Sequence, residues 1–334
     1  MTASPLTIGL LGAGRIGRVH AASITTVAGV ELAAVADVVA DAASALAAEH
    51  RVPVRTIEEI LSDSGIDAVL IATPTTLHAE LITAAAEAGK AIFCEKPIDF
   101  SEERTRACLA VVAERGVPLM IGFNRRFDPN FRAVRAQIDS GAIGDVEMVQ
   151  ITSRDPGLPP ISYLATSGGL FRDMTIHDFD MARFLLGEEP VSVFAVGSVL
   201  VDPEVATVGD IDSAAITLVT ASGRIAQISN SRRAAYGYDQ RIEVLGSAGM
   251  VRADNIHEST LECATAAGFQ RPPLMNFFLE RYMVSYRSAM AEFVDSVSSG
   301  RPPTPTGVDG LRALLLADAA VASMASGTAV TVAP

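Results

Sequence analysis

The run Gly12-Ala13-Gly14-Arg15-Ile16-Gly17 restricts this chain more than any other feature. It follows an apolar segment, Leu6 to Leu11, and precedes Val19 to Val27, which can continue as a helix. A lone G-x-G-x-x-G says little. Here a second strand, Val30 to Ala36, closes on Asp37, and strand, glycine turn, helix, strand and acid together form the βαβ pattern of a dinucleotide-binding fold. The first glycine makes the turn, the second lets backbone approach a pyrophosphate, and the third lets helix and strand pack closely. The helix N-terminus, entered at Arg15 and Ile16, then faces the phosphates. Asp37 is expected to accept hydrogen bonds from the adenosine ribose. Val38 and Val39 beside it supply no arginine for a 2′-phosphate, so NAD is favoured over NADP.

The alternation continues. Ala40 to His50 reads as a helix, Ile57 to Leu61 as a short one, Ala68 to Ala72 as a buried strand, Thr76 to Ala88 as a helix, and Ala91 to Phe93 and Val117 to Gly122 as strands. Such alternation belongs to a parallel sheet wound on both faces, with ligands at the carboxyl ends of its strands. Two of those ends carry chemistry: Thr73-Pro74 with His78 shortly after, and Cys94-Glu95-Lys96-Pro97. Lys96 falls where a nicotinamide ring is expected. Cys94 reads as a packed strand residue, and His20, His50 and His257 as surface or packing residues.

Beyond Gly122 the rhythm changes. Phe131 to Ser140 is a short helix, and strands then dominate: Asp145 to Arg154, Val191 to Leu200, Ser213 to Ala221, Arg224 to Asn230, Gln240 to Leu245 and Met250 to Ala253. Turns at Ala221-Ser222-Gly223 and Gly246-Ser247-Ala248-Gly249 imply a largely antiparallel sheet. The expected fold class is α/β: a Rossmann NAD-binding domain over residues 1–122, then an α+β domain over 123–334 with a large, mostly antiparallel open sheet. A helix near 308–325 is expected to pack back toward the first domain. Between the strands, Gly168 to Gly187 reads as a loop entering a helix, and Asp173 and His177, four residues apart, would share one helix face as a proton-handling pair.

Composition removes several classes of function. A formal net charge of −13 leaves no basic surface for nucleic acid or anionic membranes, and no apolar segment is long enough to span a bilayer. Three cysteines, Cys94, Cys108 and Cys263, have no paired spacing, which fits a reducing cytoplasm and no disulfide framework. Asp173, His177 and Asp180 offer one imidazole and no second at ligand spacing, so no metal site is expected.

The glycine run with His20, Thr73-Pro74 with His78, Glu95-Lys96-Pro97, and Asp173 with His177 resemble the fingerprints of the glucose-fructose oxidoreductase and inositol dehydrogenase (Gfo/Idh/MocA) family. Gly122 to Pro129, Gly168 to Gly187 and Thr304 to Leu311 extend the resemblance to nearly the whole chain, toward its bacterial myo-inositol 2-dehydrogenase branch. The resemblance implies NAD-dependent oxidation of myo-inositol to the 2-keto inositol, with Lys96, Asp173 and His177 as the catalytic set. It implies cofactor contacts from Gly12, Gly14, Arg15, Ile16, Gly17, Asp37, Thr73, Pro74, His78, Glu95 and Lys96. It also implies homo-oligomers, dimers or tetramers, formed through the open sheet face. A polyol needs hydrogen-bonding partners, and Asn124, Arg154, Asp155 and Tyr236 are the candidates. Either Lys96 or His177 could be the formal base. Other cyclic polyols or sugars (scyllo-inositol, glucose, L-glucose) are alternative substrates, and a non-catalytic NAD-binding regulator is an alternative of another class.

Overall fold

Five short apolar runs form the first sheet: β1 (Leu6–Leu11), β2 (Val30–Ala36), β3 (Ala68–Ile71), β4 (Ala91–Cys94) and β5 (Leu119–Ile121). All four neighbouring pairs are parallel, in the order β2-β1-β3-β4-β5. Strands buried on both faces need continuous rather than alternating hydrophobicity, and β3, β4 and β5 are buried throughout. The helices joining them are α1 (Arg15–Ile24), α2 (Ala40–His50), α3 (Ile57–Ser62), α4 (His78–Glu87) and α5 (Glu102–Arg115). Thr56 starts α3 with a capping box closed by Glu59, and Ser101 caps α5. The computed structural model describes residues 4–332.

A second set of elements begins with α6 (Pro129–Asp139), whose first turn Asp128 caps through the amides of Asn130 and Phe131. β6 (Val146–Arg154) follows, then a single helical turn, α7 (Ile161–Leu164), and α8 (Ile176–Leu186). The strands β7 (Pro190–Ser198), β8 (Ser213–Thr220), β9 (Ile225–Ser231), β10 (Asp239–Gly246) and β11 (Gly249–Ala253) come next. A small exposed hairpin, β12 (Cys263–Thr265) with β13 (Gly268–Gln270), precedes two long helices, α9 (Phe278–Ser299) and α10 (Gly307–Ser326), and a closing strand, β14 (Val330–Thr331). The larger sheet has seven strands in the order β11-β10-β6-β9-β8-β7-β14. Every pair is antiparallel except β6 with β9, which run parallel and end together at Arg154 opposite Ser231. One face is apolar and covered: Val149 and Ile151, Ala226 and Ile228, and Ile242 and Val244 are buried, and α8 packs over β6 and β9. The row Phe194, Thr217, Gln227, Gln150 and Glu243 runs across the opposite face.

The chain divides into two compact units. One takes residues up to Phe127 together with Met283–Leu314; the other takes Asp128–Tyr282 with residues from Leu315 onward. The core of the first contains Ile8, Leu10, Leu70 and Phe93 from its sheet and also Ala289, Met290, Phe293 and Val294 from α9. Thr306 makes an antiparallel bridge to Met120, so residues after α9 also extend the edge of this sheet at β5.

Candidate active site

In the first unit the functional groups collect where β1 and β3 diverge, the point at which strand order reverses. Gly12 has φ +109°, and a Cβ there would lie 2.5 Å from the Ala72 carbonyl oxygen. A Cβ on Gly17 would lie 2.0 Å from the Gly12 carbonyl oxygen, so these two glycines are demanded by the packing of the unit itself. Gly14 differs: a Cβ there would meet nothing within 4 Å. It caps α1, with Arg15 and Ile16 as the first residues of the helix, and no side chain bonds the amides of the opening turn. Asp37 closes the turn from the next strand, its two oxygens accepting from the amides of Ala13 at 2.6 Å and Val39 at 2.8 Å. Each oxygen keeps a lone pair for another donor.

His78, expected among the cofactor contacts, does different work. It is 2% exposed, its Nδ1 lies 2.7 Å from the Pro97 carbonyl and its Nε2 2.8 Å from the Thr73 carbonyl. The ring therefore ties the Thr73-Pro74 and Glu95-Lys96-Pro97 loops together and has no nitrogen left for a ligand. Burial lowers its proton affinity, and the two carbonyls only partly restore it. His20 is also more than a surface or packing residue. It is fully buried, edge-on to Phe93 and Tyr286, and its Nε2 lies 2.6 Å from Glu95 Oε1. Gly122 faces the same carboxylate, and any side chain there would collide with it at 2.9 Å. Lys96, half-buried, follows Glu95 in this braced loop. Cys94 is fully buried and its thiol is pushed up by that burial, a packed strand residue.

These features suit a dinucleotide. The open face of Gly14, the uncapped first turn of α1 and the buried Thr73 Oγ1, which has no hydrogen-bond partner among the described residues, leave donors and space for one. Beside Asp37 stand the exposed Val38 and Val39 rather than a cation.

In the second unit the polar groups gather at one end of the seven-stranded sheet. The parallel pair β6 and β9 delivers Arg154 and Asp155 from one strand end and Ser231 and Arg232 from the other, while β10 begins there at Asp239, paired with Arg154. α8 is preceded by a wider, π-helical turn, Phe171–Thr175, so Asp173 sits in that turn and His177 is the second residue of α8. The expected loop is thus already helical, and the pair is not spaced along a regular α-helix. Thr175 and Asp178 fix this element: Thr175 Oγ1 donates to Asn230 Oδ1 at 2.7 Å, and Asn230 Nδ2 donates to Asp178 Oδ2 at 2.8 Å, all three residues being buried.

Asp173 accepts from the Tyr163 hydroxyl at 2.8 Å through Oδ1 and from Arg232 Nη2 at 3.0 Å through Oδ2. Asp155 Oδ2 lies 3.9 Å from Arg232 Nη1. Tyr236 accepts from Arg154 at 3.0 Å and donates to the buried Asp239 at 2.6 Å. Arg154, Asp155 and Tyr236 therefore fall in one cluster with Asp173. Asn124 is in the first unit, only 4% exposed, in a 3-10 turn after β5. Burial leaves its side chain little room to meet a substrate. Among the described residues no group of three or more His, Cys, Asp or Glu side chains is placed to hold a metal, and no helix is long and apolar enough to cross a membrane.

Comparison with known families matches residues 6–123 to the oxidoreductase family with an NAD-binding Rossmann fold, and residues 131–252 to the GFO/IDH/MocA C-terminal domain. This chain belongs to the GFO/IDH/MocA oxidoreductase family. It is 57% identical to the inositol 2-dehydrogenase of Rhizobium meliloti over 97% of this chain and 98% of that one. It superposes on a myo-inositol dehydrogenase from Corynebacterium glutamicum with a TM-score of 0.95 at 43% identity, over 99% of each chain. It also superposes on the scyllo-inositol dehydrogenase of Lactobacillus casei, solved with NAD(H) and scyllo-inositol, with a TM-score of 0.92 at 31% identity over 99% of this chain and 100% of that one. As in the rest of the GFO/IDH/MocA family, the glycine turn and Asp37 belong to an NAD-binding domain.

Three participants escape a reading of the sequence. Arg232, in the run Ser231-Arg232-Arg233, looks like a solvated basic pair after a strand, yet it is 1% exposed. Tyr163 sits in a helical turn too short to register as periodicity. Asn230 and Asp178 become partners only because a parallel strand pair and α8 meet. The sole advance signal is that Asn230, at the end of an alternating strand, falls on the inward-facing set with Ala226 and Ile228.

Proposed function

We propose that this chain is an NAD-dependent dehydrogenase that oxidises myo-inositol to its 2-keto form. The observation that carries the reading is the 57% identity, over nearly the full length of both chains, with an inositol 2-dehydrogenase. The chemistry of the candidate residues agrees with it. Oxidising a secondary alcohol removes a hydride from carbon and a proton from oxygen, and bound NAD supplies the hydride acceptor. Gly12, Gly14, Gly17, Asp37 and the Thr73 and Glu95–Lys96 loops would hold that cofactor. We assign the hydroxyl proton to His177, stabilisation of the developing alkoxide to Lys96, and orientation and charge balance to Asp173. Arg154, Asp155 and Tyr236 supply the donors and acceptors that a polyol needs. We also propose that the enzyme works in the cytoplasm as a homo-oligomer, a dimer or tetramer. The exposed Phe194, Val196 and Leu245 on the uncovered sheet face support that assembly.

The test is cofactor reduction, followed by the absorbance of the reduced nicotinamide, with myo-inositol, scyllo-inositol, D-glucose and L-glucose, each with NAD and with NADP. The expected result is highest kcat/KM for myo-inositol with NAD, and a fall of roughly 10²–10⁴ in rate for His177→Ala with NAD binding retained. Preference for another member of the panel would overturn the substrate, and NAD binding without turnover on any of them would favour a regulator.

A further inference from the structure

Asp173 is a half-buried carboxylate whose two oxygens are both engaged by side chains from other segments, Tyr163 from α7 and Arg232 from the end of β9. With one donor on each oxygen, the carboxylate is fixed in rotation as well as in position. Arg232 is itself held. Its backbone amide donates to the Asp212 carbonyl at 2.8 Å, and its side chain is 1% exposed. A guanidinium removed from water to this degree needs anionic partners. Asp173 at 3.0 Å and Asp155 at 3.9 Å are the carboxylates within ion-pair reach, only the first at hydrogen-bonding distance. Arg232 Nε is buried with no hydrogen-bond partner among the described residues, so the group is committed to its Asp173 side at the expense of its own satisfaction. A residue kept only for stability has no reason to accept that cost.

We propose that Arg232 and Tyr163 are positioning residues for the reaction: together they hold the Asp173 carboxylate ionised and turned for its part in proton handling. The inference rests on the reading of Asp173 as part of the proton-handling set. The Tyr163 hydroxyl is suited to the task, because burial first and the Asp173 charge second push its proton affinity up, so it remains a donor throughout the working pH range. Removing the Arg232 charge leaves Asp173 facing Tyr163 and, through the emptied site, Asp155, with His177 four residues along the chain. Loss of a cation raises the pKa of a carboxylate and of an imidazole alike. The acid limb of the kcat/KM profile therefore moves up in pH.

The test compares pH profiles of kcat/KM for the wild type, Arg232→Met, Arg232→Lys, Tyr163→Phe and Asp173→Asn, with thermal unfolding midpoints measured alongside. Arg232→Met is expected to raise the acid limb by roughly one pH unit and to lower kcat at least tenfold. Arg232→Lys should return the limb most of the way, since it restores charge without the planar fork. Tyr163→Phe should move the limb in the same direction by less, and it carries the test if Arg232→Met folds poorly. Unfolding midpoints that drop while the acid limb stays at its wild-type position in both Arg232→Met and Tyr163→Phe would overturn the proposal and leave a purely structural ion pair. Full turnover by Asp173→Asn would instead overturn the role of Asp173 itself, and the inference with it.

Discussion

Asp37 carries two duties on one side chain. Its oxygens hold the amides of Ala13 and Val39, shaping the glycine turn, and the same carboxylate is the group that would meet the ribose. Asp37→Ala should therefore weaken NAD binding by about ten- to a hundredfold, the equivalent of losing one charged hydrogen bond or two. It should also reduce the preference for NAD over NADP; calorimetric titration with each dinucleotide measures both. What the sequence discloses at this scale depends on whether a residue's task is local. Gly12, Gly17 and Asp37 act within one βαβ unit, so spacing alone identifies them. Lys96, Asp173 and His177 stand in recognisable motifs. Arg232, His20 and His78 owe their roles to burial, and an arginine after a strand or a histidine on a helix gives no sign of what will enclose it.

Among the elements, the glycine turn separates fold from function. Gly17→Ala must force the first turn of α1 away from the Gly12 carbonyl, so a loss of stability of roughly 1–3 kcal/mol is expected, read as a lower urea midpoint. Gly14→Ala places its methyl in open space at φ −70°, a conformation any residue adopts, so its urea midpoint should stay close to wild type while NAD affinity falls at least tenfold. Equal loss of stability in both variants would contradict this division. The strands and helices of the first hundred and twenty residues were legible because parallel strands need unbroken apolar runs and the helices between them need periodic ones. Other features follow from long-range pairing. The parallel register of β6 with β9 joins segments separated by three other elements, and no local pattern distinguishes it from an antiparallel neighbour. The π turn before α8 holds Asp173 at a wider pitch, although its sequence continues an ordinary helical stripe. α9 did leave a signal, since Tyr282, Tyr286, Met290 and Phe293 recur at helical spacing and are all buried.

For the molecule as a whole, acid resistance follows from a few enclosed carboxylates. Burial alone would raise Asp212, but the amides of Leu200, Val201 and Asp202 overcome it and bring its pKa below the ordinary 3.8. Asp239 behaves likewise, with burial opposed by Arg241, Tyr236 and Asn255. A carboxyl group whose pKa is lower folded than unfolded stabilises the fold above its unfolded value, and that contribution disappears as pH falls through the folded value. Urea midpoints should then be level from neutrality to about pH 5 and decline below about pH 4, with a shallower decline in Asp212→Asn. An equally steep acid decline in that variant would assign the loss to other groups.

The first unit draws part of its core from α9, on the far side of the second unit in the chain. During synthesis the nucleotide-binding sheet therefore leaves the ribosome with the places of Ala289, Met290, Phe293 and Val294 still empty, and an apolar surface stays open until an entire further unit has been translated. For this family member, a gene fragment encoding the glycine motif and its five strands is not a portable cofactor-binding module. The signal that marks the start of the fold is completed only near the end of the message.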